Sequence, residues 1–86
     1  MPFTANDEVK MGFLTARQEK LLVLFKAAIQ SEIDAQRAYG SMLAINDDPA
    51  ISGIIEGLQR EEKRHEEKLI KIYTELRTTG SFKDAS

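Results

Sequence analysis

The chain has no cysteine and no tryptophan, only two prolines, and no excess of positive charge. The lack of cysteine and of positive charge each removes a class of protein. Without cysteine there is no disulfide framework, no thiolate zinc or iron–sulfur site, and no iron centre held by four cysteines. A cysteine-free chain also suits a reducing compartment. The formal net charge of −2 leaves no basic footprint for nucleic acid. No apolar run approaches the roughly 20 residues needed to span a membrane. The opening residues, Met1 to Glu8, lack a basic segment followed by an apolar core, so no signal peptide is expected and a cytoplasmic protein is the default. With 86 residues the chain is one small domain, too short to bury much surface alone. A metal or an oligomer is then the expected staple.

What is present is helical pattern. Thr15 followed by Gln18 reads as a capping box, opening a helix that runs to about Ile45. Asn46-Asp47-Asp48-Pro49 stops that helix and starts another, with Asp48 as N-cap and Pro49 in the first turn. Gly80 is a C-cap for the second helix. No strand pattern and no repeat is visible. The expected fold is all-α: an antiparallel two-helix hairpin over residues 15–80, preceded by an N-terminal arm (residues 1–14) and followed by a flexible tail (residues 81–86).

Each helix carries an apolar stripe interrupted by polar groups. On the first, Leu21, Phe25, Ala28, Ile29, Ala35, Tyr39 and Leu43 share a face with Glu32. On the second, Ile51, Ile54, Ile55, Leu58, Leu69, Ile72, Tyr73 and Leu76 share a face with Glu62 and His65. Burying a carboxylate on such a stripe is costly unless a charge or donor compensates it. A metal ion suits both the carboxylates and the imidazole. The spacing adds to this. Glu32 precedes the turn by about as many residues as Glu62 and His65 follow it, so all three reach one height, roughly 23 Å from the turn. An ordinary amphipathic hairpin does not require that alignment.

A two-helix hairpin leaves its stripes half exposed. A homodimer closes them into a four-helix bundle. The polar level lies near the middle of each helix, so a two-fold axis brings two copies to one level. The dimer would then hold a Glu from each of two helices and Glu-x-x-His from each of the other two, the arrangement of carboxylate-bridged di-iron or di-manganese sites.

At these residues the chain resembles the ferritin-like superfamily, specifically rubrerythrins. Glu32-Ile33-Asp34-Ala35-Gln36-Arg37-Ala38-Tyr39 is similar to the first-helix pattern E-x-x-A-x-x-x-Y, and Glu61-Glu62-Lys63-Arg64-His65 to the second-helix pattern E-E-x-x-H. The likeness covers roughly residues 18–78, half of a usual four-helix bundle, and a half-length chain of this kind is similar to the encapsulated ferritins. The resemblance implies that Glu32, Glu62 and His65 are iron ligands at an intersubunit di-iron centre, with manganese or zinc as substitutes. It places Tyr39 near the centre as a supporting hydrogen bonder. It implies dimers stacked into a ring and makes an encapsulin shell a candidate partner, although the tail, with Phe82 as its one large apolar residue, carries no clear targeting peptide.

The activity this implies is oxidation of Fe(II) to Fe(III), for storage or detoxification. One alternative is a rubrerythrin-like peroxide reductase, which in a chain without cysteine would draw on an external electron donor. Another is a metal-free helical dimerisation module in which Glu62 and His65 form a buried hydrogen-bonded network. Glu32 could then pair with Arg37 or Lys26. Glu66, at the edge of the second stripe, is a further candidate for a ligand or an ion-entry residue.

Overall fold

The structure, a computed structural model, describes residues 14–82. The expected arm, apart from Leu14, and the last four residues of the tail lie outside them. The described residues form two helices, α1 (Ala16–Ile45, 30 residues) and α2 (Pro49–Thr79, 31 residues), packed along their length as an antiparallel hairpin. No strand occurs among the described residues.

The helix ends are where the sequence places them. The Thr15 hydroxyl accepts from the Gln18 backbone N–H at 3.0 Å while Gln18 Oε1 accepts from the Thr15 backbone N–H at 2.9 Å, a complete capping box. The Gln18 amide nitrogen also donates to Gly80 O at 2.8 Å, so one side chain caps α1 and ties it to the end of α2. Asp48 Oδ1 accepts from the Ala50 backbone N–H, and Pro49 occupies the first turn of α2. Asn46 braces the connection by donating to Asp48 O and Ser52 Oγ, both at 2.8 Å. Gly80 closes α2 with φ 78°, the left-handed conformation that glycine adopts without a Cβ penalty.

The core is small and lies towards the open end of the hairpin. Leu22 is wholly buried and packs with Leu14 and Leu76, flanked by Phe25 and Tyr73. One position on the α1 stripe differs from expectation. Leu21, placed on it, is 42% exposed, and its neighbour Leu22 fills the core. Nearer the turn, Ile55 is buried.

The hairpin leaves much apolar surface uncovered. Leu21, Leu24, Met42, Ile51, Ile54 and Leu58 are all exposed. By helical phase they fall on one side of the α1–α2 seam. Leu21, Leu24, Phe25, Ala28 and Leu69 line a shallow groove on that side. Among the described residues no helix is long and apolar enough to cross a membrane.

Candidate metal centre

Glu32 sits near the middle of α1, and Glu62 and His65 near the middle of α2. The equal spacing from the turn has its expected result. One ligand atom from each of Glu32, Glu62 and His65 falls within 4.8 Å of the others. His65 Nδ1 lies 3.3 Å from Glu32 Oε1 across the seam and 3.9 Å from Glu62 Oε2 along its own helix. The carboxylates are half-buried, each 21% exposed, whereas the His65 side chain is 59% exposed. The trio is thus open on the imidazole side.

Two observations show what the trio lacks. Glu32 Oε1 is shut off from solvent and has no hydrogen-bond partner among the described residues, although His65 Nδ1 lies 3.3 Å away. A buried oxygen left in this state costs free energy. Second, the Glu62 carboxyl is held above its ordinary value of 4.5. The largest cause is a side-chain hydrogen bond with Glu32, which requires a proton on one of the two carboxyls. Partial burial and repulsion from Glu32 push the same way, His65 opposes them, and Glu61 adds a smaller repulsion. Two carboxyls close enough to share a proton are short of positive charge. A divalent cation supplies it, and carboxylate oxygen with imidazole nitrogen is a donor set suited to iron, manganese or zinc. The residues present therefore fit such an ion.

The other two candidates stand outside the trio. Tyr39 is half-buried two turns along α1, and among the described residues no hydrogen bond joins it to Glu32, Glu62 or His65. Glu66 follows His65 directly, yet its carboxylate is engaged elsewhere. Gln36 Nε2 donates to Glu66 Oε1 at 2.8 Å, and Lys63 Nζ lies 3.6 Å from the same oxygen. Gln36 Nε2 also donates to Glu32 O at 3.2 Å, while Gln59 Nε2 donates to Gln36 O at 3.1 Å. These two glutamines cross-link the helices beside the trio. Neither is apolar or charged, so neither stands out on the stripes, although Gln36 lies one turn from Glu32 and Gln59 three residues before Glu62.

An all-α hairpin with a carboxylate–imidazole cluster at mid-height is the half-bundle arrangement expected of the ferritin-like class of helical proteins. The family model described as rubrerythrin matches residues 24–85, the greater part of the chain, and the match includes all three residues of the cluster. The chain belongs to the rubrerythrin family, within the ferritin-like superfamily. No curated protein and no solved structure matches the chain significantly.

Proposed function

We propose that the protein binds iron through Glu32, Glu62 and His65, that two copies complete an intersubunit di-iron centre, and that the centre oxidises Fe(II) to Fe(III). The observation that carries this reading is the convergence of the three ligand atoms within 4.8 Å from two different helices. Membership of a family of iron-binding ferritin-like proteins supports the choice of metal.

Three ligands from one hairpin do not complete the coordination of an iron ion, and the exposed His65 lies by helical phase on the uncovered apolar side. A second copy is the natural cover. The shallow groove formed by Leu21, Leu24, Phe25, Ala28 and Leu69 lies on the open-end side of the trio, while Ile51, Ile54 and Leu58 project on the turn side. A two-fold axis through the trio sets the groove of one copy against the projecting residues of the other. Hydrophobic association then assembles the site.

In this reading Fe(II) is the substrate. Two ions per dimer each give up one electron, and the pair passes to O2, which takes up two protons and leaves as hydrogen peroxide. The chain's own residues supply a fixed spacing and negative charge, and carboxylate charge favours loss of an electron from a cation. Ligating groups must be deprotonated to bind, so cation uptake competes with protons. The alternative reading takes peroxide as the electron acceptor, with an external reductant. Stopped-flow absorbance of the Fe(II)-loaded protein mixed with O2 or with peroxide distinguishes the two. Rapid Fe(III) formation with O2 supports oxidation of Fe(II) as the activity; slow reaction with O2 and rapid turnover with peroxide moves the assignment to peroxide reduction.

A further inference from the structure

Glu66 is a carboxylate in the wrong place to be idle. It follows His65 directly and lies one helical turn beyond Glu62 on α2. At about 100° per residue, His65 points roughly 60° to one side of Glu62 and Glu66 about 40° to the other. Side chains on a helix lean towards its N-terminus, so the Glu66 side chain leans over the turn that carries Glu62. Its carboxylate is only 14% exposed. By chemistry and direction it could join the trio, but it does not.

The reason is Gln36. Its amide nitrogen has two hydrogens, and both are engaged, one with Glu66 Oε1 at 2.8 Å and one with Glu32 O at 3.2 Å. This fixes the amide orientation, because the flipped form would set a carbonyl oxygen against a carboxylate and a backbone carbonyl. The Gln59 amide, donating to Gln36 O, holds the Gln36 backbone to α2. Gln36 therefore grips Glu66 on the side of the seam away from His65, with Lys63 balancing the charge at 3.6 Å.

We infer that Gln36 is a positioning residue of the metal centre: by holding Glu66 off the Glu32–Glu62–His65 trio, it sets the number of carboxylates that a bound cation meets. This rests on the reading of the trio as a metal site. With Glu66 restrained, each hairpin offers two carboxylates and one imidazole. With Glu66 released, a third carboxylate becomes available, raising the negative charge and oxygen content of the donor set. Those properties decide how tightly a divalent cation is held and how many ligands surround it.

The test is Co(II) titration of the full chain under anaerobic conditions, read by visible absorption and by affinity. Gln36→Leu keeps the volume and removes both donors. It is expected to lower the intensity of the Co(II) bands, as an added oxygen ligand raises the coordination number, and to change the affinity on the order of tenfold. Adding Glu66→Gln to that variant is expected to restore the wild-type spectrum. A merely structural role for Gln36 would not be reversed by a second change at Glu66. Circular dichroism of both variants confirms that the hairpin is retained. A wild-type spectrum in Gln36→Leu, or an altered one that persists in the double variant, overturns the inference while leaving the trio intact as a metal site. Failure of the wild-type protein to bind Co(II) at all removes the underlying reading and the inference with it. If Gln36→Leu does not fold, Gln36→Met, which keeps the length without the donors, takes its place under the same criteria.

Discussion

His65 Nδ1 and Glu32 Oε1 face each other 3.3 Å apart across the helix seam, with the Glu62 carboxyl beside both. The oxygen in this contact is buried and, among the described residues, without a hydrogen bond. Removing either partner should remove the cation site. Glu32→Ala and His65→Ala are expected to reduce divalent-metal affinity by well over about 100-fold, beyond what supporting residues typically contribute. Isothermal titration with Co(II) or anaerobic Fe(II) measures this, and near wild-type affinity in both variants would count against the site.

The metal-free protein should depend on pH in a way that Glu62 dictates. Its folded carboxyl titrates above the ordinary value of 4.5. Folding is therefore favoured while the group is protonated, and that contribution is lost as pH rises through the raised value. Removing the titrating group removes the loss. Glu62→Gln is expected to make the metal-free hairpin more stable than wild type at neutral pH, with the difference vanishing in acid. Urea unfolding of both proteins in chelator across this range checks the sign. Added metal should reverse the order, since the variant loses the ligand while wild type gains about 2.7 kcal/mol at 100-fold excess over Kd.

Core and interface should separate cleanly. Leu22 is wholly buried within one hairpin, so Leu22→Ala is expected to cost about 2–5 kcal/mol. Leu24 and Ile54 are 60% and 66% exposed on the uncovered side. Leu24→Arg and Ile54→Arg are expected to leave helix content unchanged and to dissociate the proposed dimer. Sedimentation velocity with circular dichroism reads both; a dimer that survives both charges would place the self-association face elsewhere.

The N-cap of α2 should matter in proportion to its one bond. Asp48 Oδ1 accepts from the Ala50 backbone N–H at 2.9 Å. Asp48→Ala is expected to destabilise the protein by about 1 kcal/mol, visible in thermal unfolding.

The sequence makes the frame of this molecule legible for physical reasons. Capping at Thr15, Asp48 and Gly80 is local chemistry, so residue identity fixes the helix ends. Once the ends are known, the rise per residue fixes the height of Glu32 against Glu62 and His65. Less was legible around the seam. α1 carries apolar residues over a wide arc, some facing α2 and others facing outward, and averaging them puts Leu21 where Leu22 belongs. The glutamine cross-links escape a search for charge and hydrophobicity because an amide is neither. Glu66 stays outside the trio because of one hydrogen bond from Gln36, which depends on side-chain direction rather than on spacing.

The most direct test of the central claim is anaerobic Fe(II) loading read by native mass spectrometry. The account predicts a dimer carrying two irons, and an iron-free protein when Glu32 or His65 is replaced by alanine. A wild-type protein that takes up no iron, or iron retained in both variants, would contradict it.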